Sequence, residues 1–174
     1  MTPDPAALTS RAPFSGDLGR PDWLALHVHD ASAPIARRFA EATVAPYGAD
    51  RDNVGLITSE LVTNALRAAR RLVEEGLAPA WNYPARPLRI GVLATERWVR
   101  LSITDPDPRP IDPLAPSENG WGLGIVDTLS VKRWTTYEAE SKTVHVIVAA
   151  PGVALSATEV DTLQAATMNH SLRR

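Results

Sequence analysis

The sequence predicts an α+β domain: a two-layer α/β sandwich whose mixed, mostly antiparallel sheet carries helices on one face. Two observations point there. Helical periodicity is concentrated between residues 30 and 76, whereas most β-runs follow one another in pairs with no helix between them. Parallel neighbours need a long crossover, so directly successive runs pair antiparallel. A third observation, 44% apolar against 22% charged residues, is the balance of a folded globular chain.

The elements follow in order. Residues 1–21 carry Pro3, Pro5, Pro13 and Pro21 without apolar period and read as a flexible leader. In W-L-A-L-H-V-H, Leu24, Leu26 and Val28 alternate with Trp23, Ala25, His27 and His29, the pattern of a half-buried strand over 23–29. Asp30 or Ser32 can cap a helix with Pro34 in its first turn; it runs through Ile35, Phe39 and Val44 to Pro46-Tyr47-Gly48. Asp50 or Asp52 opens a longer helix. Its Val54, Ile57, Leu61, Ala65, Ala68 and Leu72 recur in steps of three and four, and Gly76 closes it.

A Pro-rich connection over 77–87 leads to β-runs 88–94 and 98–104, turning at Thr95-Glu96. In the second, Val99, Leu101 and Ile103 alternate with Arg100, Ser102 and Thr104, which predicts one buried face. Five prolines between Pro106 and Pro116 then exclude regular structure, so a long loop follows. A short helix over 124–129 opens from a glycine cluster, and runs 131–137 and 143–148 form a hairpin near Glu140-Ser141. A last helix is predicted over 157–168. The organisation is therefore leader 1–21, a domain over 22–150 and a C-terminal extension 151–174.

Net charge is −2, so no global field draws the chain to nucleic acid or anionic membrane. Absence of cysteine removes disulfides and thiolate zinc sites. With no signal-peptide pattern and no apolar run long enough to span a membrane, a cytoplasmic location is expected.

Three places could carry chemistry. Glu60 and Asn64 in S-E-L-V-T-N-A stand at i, i+4 on one side of the long helix, beside the buried stripe. The neutral oxygen of Asn suits a hard cation such as Mg²⁺, and Glu suits a general base, although a solvated helix face carries such residues too. Asp105 ends V-R-L-S-I-T-D, where a carboxylate at the mouth of a loop can accept an exocyclic amine; Asp-Pro also simply starts turns, and Asp107 repeats the pair. Gly120-Trp121-Gly122-Leu123-Gly124 runs into a helix, so backbone N–H groups can approach phosphate. Its spacing fits neither G-x-x-x-x-G-K-[ST] nor G-x-G-x-x-G. His27 and His29 lack a third metal ligand, and Arg67, Arg70 and Arg71 read as an exposed helix end. No Ser-His-Asp or G-x-S-x-G arrangement supports nucleophilic hydrolysis.

Taken in order, helix-borne E-L-V-T-N-A, a strand ending in Asp, a Pro-rich loop and G-x-G-L-x-I-V resemble the GHKL ATP-binding superfamily over about residues 22 to 150. The likeness is greatest to bacterial anti-sigma-factor serine/threonine kinases and their stand-alone relatives. The resemblance implies the Bergerat fold. It further implies Mg²⁺ on Asn64, Glu60 as base for an acceptor serine, and Asp105 at the adenine amino group. Gly120, Gly122, Leu123 and Gly124 would form the second glycine box beside the phosphates, Thr143 in S-K-T-V-H-V would reach adenine, and 107–119 would be the lid. The first glycine box, usually D-x-G-x-G, reads D-P-D-P-R; the basic residue expected four after Asn64 is Ala68, and the glycine before K-T is Ser141.

The function so implied is an ATP/Mg²⁺-binding regulator. It would sequester a sigma factor or other client and phosphorylate a serine on an anti-sigma-factor antagonist; homodimers are common in the family. The alternative is a catalytically inactive module of the same fold that acts through protein–protein contacts.

Overall fold

The structure is a computed structural model that describes residues 19–77, 88–110 and 122–171. Most of the leader, the body of the predicted lid and Gly120 lie outside these residues. The elements are β1 (Asp22–Leu26), α1 (Ser32–Val44), α2 (Arg51–Glu74), β2 (Leu88–Ala94), β3 (Trp98–Asp105), α3 (Gly122–Leu129), β4 (Lys132–Tyr137), β5 (Lys142–Ala149) and α4 (Ala157–Ser171). The five strands form one sheet in the order β1-β2-β3-β5-β4. Every pairing among them is antiparallel. This is the α+β architecture expected, with no parallel pair.

The helix starts show where local rules hold and where they yield. Asp50 caps α2, its side chain accepting the backbone N–H of Asn53 at 3.0 Å. All six apolar positions expected of α2 are buried. At its end Gly76 takes φ 70, and the N–H of Leu77 reaches back to the carbonyl of Leu72 at 2.8 Å. The start of α1 differs. Its cap position is Ala31, with no side-chain bond. Asp30 is instead paired with Arg70 of α2, and the Ser32 hydroxyl donates to the carbonyl of His27 at 2.6 Å. That tight turn ends β1 at Leu26, short of the expected run to 29, and leaves Val28 exposed. The buried stripe of α1 is Ala36, Ala40 and Val44, while Ile35 points to solvent. Small residues there let α1 and α2 approach closely.

Helices α1, α2 and α3 cover one face of the sheet. Leu88, Ile90 and Val92 of β2, Val99, Leu101 and Ile103 of β3, and Val144, Val146 and Val148 of β5 meet Val54, Ile57, Leu61 and Ala65 of α2 there. Each large aliphatic side chain removed from water in this core contributes about 1.5–3 kcal/mol. The opposite face is not open, as alternation in β3 predicted it to be. Helix α4, from the C-terminal extension, lies across it: Val160 and Leu163 pack with Leu93, Trp98 and Ile147. Arg97 and Glu159 are paired at 2.9 Å beside this contact. As a result Arg100 and Ser102, expected on a solvated face, are buried. Trp23 of β1 lies across Gly91 on the same side, and a Cβ at 91 would stand 2.8 Å from its ring. Any side chain at 91 would have to displace that ring.

Candidate functional site

The register of β3 against β5 decides which side chains meet. Asp105 pairs with Lys142, and Thr104 with Thr143, in successive positions. Successive residues point to opposite faces. Asp105 and Lys142 therefore share the face of Ile103 and Val144, toward the helices, whereas Thr104 and Thr143 face the α4 side and share a hydroxyl contact of 3.1 Å. Thr143, expected to reach adenine, thus faces away from Asp105. The residue that stands beside Asp105 is Lys142.

The ammonium of Lys142 lies 2.8 Å from Asp105 Oδ2. It also donates to the carbonyl of Asp107 at 2.6 Å. Asp105 Oδ1 accepts the Asp107 N–H at 2.8 Å. Both side chains are buried, with exposures of 5% for Lys142 and 7% for Asp105. Burial raises the Asp105 pKa above the ordinary carboxylate value, against the opposing pull of Lys142. A carboxylate offers about four lone-pair sites, so two remain on Asp105. An exocyclic amine can still be accepted.

Asp107 extends the network. Its carboxylate, almost fully buried, accepts the Arg109 side chain at 2.8 and 2.9 Å through Nη2 and Nε, and the Arg109 N–H at 3.0 Å. Burial pushes the Asp107 pKa up, but these bonds from Arg109, with the charge of Lys142, leave it lowered overall. Arg109 donates in turn to Glu75 Oε2 at 2.7 Å. The stretch D-P-D-P-R thus uses carboxylates and a guanidinium to hold the strand end to the end of α2. Pro106 and Pro108 fix φ and donate nothing, which suits this loop.

The other end of the site is borne by α2 and α3. Glu60 and Asn64 are half-buried on one side of α2. Asn64 Oδ1 has one long contact, 3.5 Å from Arg67 Nη1, and is otherwise unpartnered among the described residues. Helix α3 begins at Gly122 and packs beside α2 by Val126, Leu123 and Leu129. Leu123 therefore anchors α3 by its side chain, and only its backbone is left for a ligand. Gly124 is exposed, and a Cβ added there would meet nothing within 4 Å. Among the described residues, packing does not require glycine at 124. Among the described residues no three His, Cys, Asp or Glu side chains cluster as a metal site, and His27 and His29 are both exposed.

Comparison with known proteins agrees with this layout. The sequence profile of the histidine kinase-like ATPase domain matches residues 24–149. The chain belongs to that family. Among solved structures, the RsbU and RsbW domains of Rv1364c from Mycobacterium tuberculosis are similar to it, with 21% identity and a TM-score of 0.50. That match covers 79% of this chain and 34% of the other, so the chain spans about a third of the length of that relative. Among curated proteins, none matches. The family assignment covers the helices and strands that hold Glu60, Asn64 and Asp105; α4 lies beyond the matched residues. Lys142, Arg109 and Glu75 are the members of this network that motif reading missed, and Asp107 it gave only as a repeat of the Asp-Pro pair. For Lys142 the signal was available: Val144, Val146 and Val148 set the inward phase of β5, and 142 is in that phase.

Proposed function

We propose that this histidine kinase-like ATPase domain binds an adenine nucleotide with Mg²⁺ and acts as a regulatory serine/threonine kinase of the anti-sigma-factor type. It would hold a sigma factor or similar client and phosphorylate a serine on an antagonist of that complex. The observation that carries the reading is Asn64, half-buried on α2 with a single long contact on its carboxamide, in the helix beside which α3 packs with the exposed Gly124 near its start. One is a metal ligand and the other a phosphate contact. In this scheme Asp105 accepts the adenine amino group and Asn64 lends one oxygen to the metal. Phosphates and water would complete the metal's shell. The N-terminal residues of α3 donate to phosphate oxygens, and bound Mg²⁺ supplies charge neutralisation at the transferred group. Glu60, one turn before Asn64, takes the proton of the attacking serine hydroxyl. An association between two copies is part of the proposal, without an assigned interface.

Titration of the purified chain with ATP, with and without Mg²⁺, followed by a phosphate-transfer assay on the cognate antagonist, tests it. Asn64→Ala is expected to abolish the Mg²⁺-dependence, and Glu60→Ala to reduce transfer while retaining binding. Transfer unaffected by Glu60→Ala would remove that residue from the chemistry.

A second reading has a specific observation behind it. The Asp105–Lys142 pair is bonded internally and almost wholly buried, and Lys142 also donates to the Asp107 carbonyl. A module that works by protein–protein binding alone would keep this pair intact. No heat with Mg²⁺-ATP, together with an intact fold, would favour it.

A further inference from the structure

Lys142 carries three N–H donors and uses two, on Asp105 Oδ2 at 2.8 Å and on the Asp107 carbonyl at 2.6 Å. The third has no partner among the described residues, although the ammonium is buried. Asp105 beside it retains acceptor capacity. A carboxylate acceptor and an ammonium donor thus stand side by side on the helix-facing end of the sheet. We propose that Lys142 reads the base: its third N–H donates to the ring nitrogen N1 of adenine while Asp105 accepts from the neighbouring 6-amino group. This rests on the nucleotide reading given above.

The choice of lysine has a chemical consequence. A hydroxyl or a water in this place could turn to act as donor or acceptor, but an ammonium can only donate. The order of groups on the base then matters twice. Adenine presents a donor at position 6 to Asp105 and an acceptor at N1 to Lys142. Hypoxanthine and guanine, held in the same pose by the triphosphate, present a carbonyl to the carboxylate and an N–H to the ammonium. Both contacts become repulsive. A buried donor left without an acceptor carries its full desolvation cost, which is larger than the gain from a well-made bond.

The test compares three ligands by calorimetric titration in Mg²⁺: ATP, ITP, and 1-deaza-ATP, in which N1 is replaced by C–H and the 6-amino group is kept. The full-length chain is expected to bind 1-deaza-ATP about tenfold more weakly than ATP, and ITP more weakly still. In Lys142→Met the preference for ATP over 1-deaza-ATP should shrink to within about twofold, by the same account of an unpaired donor. Equal affinity of the unaltered chain for ATP and 1-deaza-ATP overturns the role of Lys142 while leaving nucleotide binding in place. That comparison needs no variant, so it holds even if Lys142→Met fails to fold. A chain that binds none of the three overturns the nucleotide reading, and this inference with it.

Discussion

Strands β3 and β5 bury polar side chains on both faces, and the two faces solve the problem differently. Toward the helices, Asp105 and Lys142 neutralise each other at 2.8 Å. Toward α4, Arg100 is buried with one hydrogen bond, to Thr167 Oγ1 at 2.7 Å, and no carboxylate partner among the described residues. Its Nε has no partner among those residues either. Next to it Ser102 and Thr136 bond the two ring nitrogens of His145, each at 3.0 Å, and Trp134 stacks on the imidazole with centroids 5.1 Å apart. One face holds a complementary charge pair with spare donor and acceptor capacity. The other holds a mostly neutral network under a helix. The first arrangement can exchange partners with a ligand; the second has the hallmarks of packing.

If that contrast is right, breaking the charge pair has the largest effect. Asp105→Ala leaves the Lys142 ammonium buried with the Asp107 carbonyl as its remaining hydrogen-bond partner among the described residues. It is expected to cost about 3–5 kcal/mol in denaturant unfolding, as removal of one member of a buried pair does. The double replacement Asp105→Ala with Lys142→Met should recover much of the loss, because no uncompensated charge remains. A single variant that unfolds like the parent would mean that water reaches the pair freely.

The second expected effect belongs to the α4 face. Burial, aided by the nearby charge of Arg100, lowers the His145 pKa from 6.5 to about 3. The unfolded chain then binds a proton that the folded chain refuses throughout this window. Stability should therefore fall as pH drops from 6.5 toward 3, by about 1.4 kcal/mol per pH unit from this group. His145→Gln is expected to flatten that limb in unfolding curves taken across the range.

How much of this was legible in the sequence follows from which rules are local. Helix α2 and its ends were readable because its cap, its stripe of apolar residues and its closing glycine all lie within its own text. The strand pairs were readable for the same reason. Asn64 and Asp105 stood out by motif and by place, at a helix side and a strand end. The cover on the second face was not readable, because β3 alone cannot show that α4 folds back onto Trp98. Nor was the failed cap of α1, since Asp30 is taken by Arg70, 40 residues away. The motif match pointed to Thr143, whereas the alternation of β5 points to Lys142 as the residue opposite Asp105.

A smaller effect tests the link between the base end of the site and α2. Arg109 bridges Asp107 and Glu75 but is itself half-exposed, so solvent weakens what its ion pairs contribute. Arg109→Ala is expected to cost only a small fraction of the Asp105→Ala loss in denaturant unfolding, mostly through the almost fully buried Asp107 carboxylate that loses its bonds. A loss several times larger would show that the D-P-D-P-R loop is a keystone of the fold instead of a local brace.

The smallest change in stability is expected at the most conspicuous residue of the second face. Arg100→Met removes a buried charge but keeps an unbranched stem opposite Leu93. Its one partner is not stranded, because the Thr167 hydroxyl already donates to the Leu163 carbonyl at 2.9 Å. The unpaired Nε disappears with the guanidinium. Burial already lowers the Arg100 pKa, the sign of a charge held at a cost. Replacing such a group by an apolar one of similar shape is close to neutral or stabilising, so unfolding should move by no more than about 1 kcal/mol. One property should move clearly. With the neighbouring positive charge gone, His145 is expected to titrate higher, and the acid limb of the stability curve should level off at a higher pH while staying visible, because burial remains the larger cause. If instead Arg100→Met destabilises the chain as strongly as Asp105→Ala, then Arg100 has a counter-charge after all, and the contrast between the two faces fails.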